Sequence, residues 1–223
     1  MSKVDNEPAR LLWLDGLRGI AAVQVVFLHY ASAFLPAIGL TAPGLAHYGW
    51  EMSVIHSPLF LPFDGYSAVY IFFVLSGVAL TYSFGSTPFA IGPNVLRRVI
   101  RLGIPMAAAM TLAAGWFLWL PHAHTVAGTI TNSTTWLSAI GPSTATPGDF
   151  LHQLLLEGML AGYNETSSLP LVFRQILHLA PLPASFNPPL WTLHVEFVGS
   201  LFILALVALK SLSGIIGRPD KAF

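Results

Sequence analysis

Gly19-Ile20-Ala21-Ala22-Val23-Gln24-Val25-Val26-Phe27-Leu28-His29-Tyr30-Ala31-Ser32-Ala33-Phe34-Leu35 contains no Lys, Arg, Asp or Glu, and formal charge stays absent as far as Trp50. A helix needs about 20 predominantly apolar residues to cross the hydrocarbon layer. Residues 11–35, the most apolar part of this region, meet that length. A histidine nevertheless sits in the middle of the run.

The rest of the chain has the same character. Of 223 residues, 54% are hydrophobic and 9% charged, with a mean hydropathy of +0.67. Soluble domains carry about a quarter charged residues, so lipid is the expected solvent. Further spans are expected near 65–84, 102–120 and 190–209, the last with one acid, Glu196, and with Pro188 and Pro189 at its start. The expected fold is one all-α domain over 1–223, a polytopic transmembrane helix bundle of about four to six spans. Between Pro121 and Pro189 the pattern is open. Residues 125–146 read as loop, whereas 150–163 and 169–182 are short apolar stretches carrying Glu157 and Arg174. Each fits an interfacial helix, a re-entrant piece or a short span.

Charge sets orientation and excludes several functions. Nine of the ten basic residues fall on one side if the N-terminus is cytoplasmic, with Arg174 the exception. Such an excess marks cytoplasmic loops. The expectation is a multi-pass protein of the cell (inner) membrane with the bilayer as its first partner. A cleaved signal peptide ending at Ala31-Ser32-Ala33 is the competing reading, although Asp15 and Arg18 sit late for its charged region. Net charge is zero and no dense basic patch exists, which argues against nucleic acid. Cysteine is absent, removing disulfides and thiolate metal sites. No metal is expected, because His122 and His124 lack a third ligand nearby.

Candidate chemistry begins on the first span. Arg18 and His29 are eleven apart, so on a helix they share a face to within about 20° and stand about 16 Å apart along the axis. Asp15 lies one turn before Arg18 and within pairing distance of it. A histidine among Val25, Val26, Phe27 and Leu28 is costly unless it faces a polar cavity, which makes it a functional candidate. A hydrogen bond to a neighbouring helix is the ordinary alternative. With Arg18 at the cytoplasmic interface His29 lies near mid-membrane, and Glu196, roughly 9 Å below the outer end of its span, lies at a similar depth. A carboxylate there suits a general-base histidine, while a helix-end glutamate reaching the interface is the plainer reading. Arg97, Arg98 and Arg101 suit either positive-inside anchoring or phosphate binding, with Arg98 and Arg101 three apart on one face.

Leu14-Asp15-Gly16-Leu17-Arg18-Gly19-Ile20-Ala21 with His29 resembles the opening of the acyltransferase 3 family of membrane acyltransferases, the O-antigen acetylases among them. Tyr70-Ile71-Phe72-Phe73-Val74-Leu75-Ser76-Gly77, the Arg98/Arg101 pair and Trp191-Thr192-Leu193-His194-Val195-Glu196 resemble its later motifs, in order. The resemblance implies acyl transfer, often of acetyl, from acyl-CoA to a hydroxyl, commonly on a carbohydrate. It implies His29 and Glu196 as catalytic residues and Arg18, Arg98 and Arg101 as donor-binding residues. Asp15 and Trp191 would support them, with acyl-CoA as substrate and no bound cofactor. Family members usually have more spans than this chain, as if it were truncated or needed a missing helical partner or second half. A non-catalytic relative acting as an interaction partner is the rival reading; a proton-coupled transporter is weaker, since internal repeats are absent.

Overall fold

Leu35 ends the first long helix because proline follows it. The ring of Pro36 disfavours helical backbone in the residue before it, and Leu35 sits at φ −134°, ψ 63°. The same punctuation recurs along the chain. The computed structural model describes residues 12–142 and 146–212. Leu11, where the first span was expected to start, and the basic residues Lys3, Arg10, Arg218 and Lys221 lie outside the described residues.

The helices are α1 (Leu12–Phe34), α2 (Pro36–Gly39), α3 (Gly49–Ile55), α4 (Gly65–Gly85), α5 (Ile91–Trp119), α6 (Ala123–Ile130) and α7 (Pro147–His152). A π-helix, Gln153–Ala161, continues from α7, and α8 (Leu171–Ile176) and α9 (Trp191–Leu212) follow. No strand occurs among the described residues, so the fold is all-α. Among the described residues, four helical segments are long and apolar enough to cross a membrane: Trp13–Phe34, Gly65–Gly85, Ile91–Trp119 and Pro188–Leu212. Between Pro121 and Pro188 no described helix reaches that length.

The third crossing differs from expectation in one respect. Its helix begins at Ile91 rather than near residue 102, so Arg97, Arg98 and Arg101 lie on α5 itself. Hydropathy marks where the hydrocarbon run begins, whereas arginine is a good helix former and carries the hydrogen-bonded backbone through the polar turn. Pro105 is accommodated inside the same helix.

The chain divides within α4 into two units, Met1–Leu75 and Ser76–Phe223. In the first, α2 folds back on α1 so closely that a Cβ on Gly39 would stand 2.2 Å from the Ser32 backbone nitrogen. Gln24 Nε2 donates to the Leu61 carbonyl at 2.8 Å. Buried Glu51 accepts from the backbone N–H groups of His47 and Tyr48, each at 2.9 Å. Asp64 caps α4 by accepting from Ser67 N at 3.1 Å.

In the second unit, α5, the π-helix and α9 enclose one core of Leu102, Met106, Met110, Met159 and Phe197. A second cluster of Phe84, Leu204 and Val207 joins the end of α4 to α9. The outer faces remain apolar: Leu112 and Trp119 of α5 are each 77% exposed. Soluble proteins rarely expose such continuous apolar surface; acyl chains solvate it.

Two glycines separate packing from propensity. Gly39→Ala forces a methyl group against backbone and is expected to cost about 1–3 kcal/mol. Gly103→Ala, with nothing within 4 Å of the added Cβ, should gain about 0.5–1 kcal/mol from helix entropy. Melting temperatures of both variants in lipid check the pair, and equal shifts would contradict the packing of α2 on α1.

Candidate active site

The first unit carries one set of candidate residues on α1. Arg18 is half-buried, its guanidinium 5.0 Å from the centroid of the Phe72 ring, a cation–π contact. Asp15 is exposed one turn earlier, and His29 is half-buried beside buried Leu28. The helix is continuous from Leu12 to Phe34, so its rise sets Arg18 and His29 about 16 Å apart on nearly one face.

The second unit carries the other set. Arg98 is 6% exposed. Its Nε donates to Ser200 Oγ at 2.7 Å, and its Nη2 donates to Glu196 Oε1 at 2.5 Å. Ser200 Oγ in turn donates to the Glu196 carbonyl at 2.5 Å, one helical turn back. Of these bonds the one between guanidinium and carboxylate is charge-assisted, the stronger kind. Glu196, read from sequence as the companion of His29, is thus paired with Arg98, and His29 belongs to the other unit. Arg98, read as half of a phosphate-binding pair, is turned into the protein, while Arg97 and Arg101 are exposed. Trp191 is half-buried at the start of α9.

Three polar networks escaped the sequence reading. His194, 1% exposed, lies on the face of α9 away from Glu196. Its Nε2 accepts from Ser168 N at 3.2 Å and lies 3.1 Å from Ser168 Oγ. The proton is therefore on Nδ1, which donates to the Met159 carbonyl at 3.0 Å. Gly162, at φ +78°, is required here, since a Cβ would also stand 2.8 Å from the His194 ring. Arg174, the basic residue that broke the charge pattern, donates to the carbonyls of Leu169 and Asn164 at 2.6 and 2.7 Å. It holds the loop ahead of α8.

The third network centres on Glu157, which is fully buried. Its Oε1 accepts from Ala180 N at 2.9 Å and from His152 Nδ1 at 2.9 Å. Burial raises the Glu157 carboxyl above its ordinary value; the Ala180 N–H and His152 oppose that, and Asp149 adds to it. Burial, and then Glu157, raises the Tyr163 phenol as well. The one sequence signal was an acid inside a short apolar stretch.

Long apolar helices with buried polar side chains define a polytopic membrane protein. Residues 11–216 match the acyltransferase 3 family, described as an acyltransferase domain, and the chain belongs to that family. It is an integral membrane protein. It is similar to O-acetyltransferase PaAT-1 of Phomopsis amygdali, with 27% identity over 243 residues. That alignment covers 95% of this chain and 42% of the relative, so the chain spans less than half of the relative's length. No solved structure matches.

Removing one member of a buried ion pair leaves the other uncompensated. Glu196→Ala should cost about 3–5 kcal/mol, whereas replacing Arg98 and Glu196 together by Met and Leu should cost far less. Unfolding of both variants in lipid reads the difference; equal losses would show that the pair contributes nothing specific.

Glu157 makes stability depend on pH. Its folded value lies above its unfolded value, so the folded chain holds a proton that the unfolded chain has already released. That contribution is complete below the ordinary carboxylate range, about pH 4. It is lost as pH rises through the raised value. Melting temperature against pH should fall more steeply over this window in wild type than in Glu157→Gln, and parallel curves would refute the assignment.

Proposed function

We propose that this chain supplies the site of a membrane O-acyltransferase that moves an acyl group, acetyl foremost, from acyl-CoA to a hydroxyl of a carbohydrate. The observation that carries the reading is the placement of Asp15, Arg18 and His29 along one apolar helix in a chain of the acyltransferase 3 family. The O-acetyltransferase name of its relative supports acetyl as the group transferred.

His29 takes the proton of the acceptor hydroxyl as its oxygen attacks the thioester carbonyl. The carbon–sulfur bond breaks, the new ester forms, and the CoA sulfur leaves as thiolate and recovers a proton. Arg18 on the first unit, and Arg97 and Arg101 on the second, are each suited to donor phosphates, because guanidinium groups fork onto phosphate oxygens. Arg98 acts one step removed: it holds Glu196, which supports the reacting groups, while Asp15 and Trp191 steady their neighbours. In this reading the N-terminus is cytoplasmic and acyl-CoA approaches from that side. A second reading is a non-catalytic relative acting as an interaction partner.

Acyl-CoA consumption by the 223-residue chain in lipid, wild type against His29→Ala, separates the two. A transferase should lose on the order of 10²–10⁴-fold in rate on removal of its general base. Equal background rates would favour the non-catalytic relative.

A further inference from the structure

A polar cavity of about 160 Å³ opens beside the π-helix, lined by Asp149, His152, Gln153, Glu157 and His178 among others. By volume it holds roughly five waters at about 30 Å³ each. None of these residues belongs to the site assigned above. The π-helix that forms one wall is itself rare backbone, frequently found at functional sites.

The chemistry of the walls is specific. Glu157 Oε1 is occupied by Ala180 N and His152 Nδ1. Glu157 Oε2 is fully buried and has no hydrogen-bond partner among the described residues. Leaving such an oxygen unsatisfied is costly. His152 uses Nδ1 toward the carboxylate, which leaves Nε2 on a side chain 39% exposed. Gln153 Oε1 accepts from Phe186 N at 3.0 Å, so its amide NH₂ is the end left to donate. Asp149 accepts from Thr146 N and Oγ1, at 3.3 and 2.6 Å, and adds negative charge to the rim.

We propose that this cavity is a docking site for hydroxyl groups of the acceptor, bound by Glu157, His152 and Gln153. A hydroxyl donates once and accepts twice, so one group type satisfies the carboxyl oxygen, the imidazole nitrogen and the amide together. It does so whether or not Glu157 carries its proton. An anion would meet two acidic side chains, and an apolar group would leave Glu157 Oε2 as it is. The naming of the ligand as the acceptor rests on the transferase reading; the preference for hydroxyls rests on the cavity alone.

Saturation-transfer NMR tests it, with the chain in lipid nanodiscs and free glucose, galactose and N-acetylglucosamine as probes, acetate serving as the anion control. Wild type should bind at least one sugar and not acetate. Glu157→Gln and His152→Ala should each weaken that binding on the order of tenfold, the effect of losing a hydrogen bond to a buried group. Far-UV helicity and melting temperature confirm folding, and if Glu157→Gln does not fold, the half-exposed His152→Ala decides. No sugar binding by wild type, or unchanged affinity in folded variants, overturns the site. Acyl-CoA hydrolysis by wild type without acceptor is measured alongside. Hydrolysis without sugar binding removes the cavity and keeps the transferase; sugar binding that the variants lose, without hydrolysis, keeps the cavity and removes the transferase.

Discussion

The ion pair between Arg98 and Glu196 is the constraint on which the second unit depends. Taking two charges out of water costs several kcal/mol per ion, so such a pair adds little net stability, but its geometry is demanding. Nε and Nη2 of one guanidinium reach Ser200 and Glu196, which stand one turn apart on α9. That double attachment fixes how α5 and α9 slide and turn against each other. Buried residues then repeat at the same spacing on α5: Arg98, Leu102, Met106 and Met110. On α9 they fall at Phe197, Ser200, Leu204 and Val207. Apolar ridges interdigitate at many registers with similar energy; the ion pair is satisfied in one.

The π-helix inherits that register. Met159 enters the core shared by α5 and α9, and its carbonyl accepts from His194 Nδ1. Gly158 lies where a Cβ would be 2.7 Å from Met106 Sδ. A shift of α5 along α9 would therefore displace the wall that carries Glu157. The cavity and the ion pair are different chemistry on one scaffold.

How much of this was legible follows from what each signal measures. Hydropathy reports transfer into lipid, and it located the four long apolar segments, because their runs of twenty or so residues have no other stable state there. It is silent on hydrogen bonding, and so it placed the start of α5 at the end of the arginine cluster rather than at Ile91. Single-helix reasoning worked for Arg18 and His29, which share α1. It did not yield the Arg98–Glu196 contact, since two positions 98 residues apart meet only through packing. His152 and Glu157 show a sharper failure. Five residues apart, they stand about 140° apart on an α-helix and look unrelated. From residue 153 the backbone is π-helical, with bonds running i to i+5, which brings such positions one above the other. The period itself was the missing information.

Glu196 and Glu157, two acids held in the second unit of a chain with only 9% charged residues, make a final comparison. The Glu196 carboxylate is compensated by a guanidinium, itself steadied by the serine one turn on. Its presence follows from the architecture of α5 and α9. Glu157 is different. It takes two donors on one oxygen, leaves the other bare, and sits where burial disfavours its charge. Packing alone would be better served by an apolar side chain of similar size, since the desolvation cost would vanish. Departures from local stability concentrate at sites that do something else. Of the two acids, the less stable one is therefore the better guide to function.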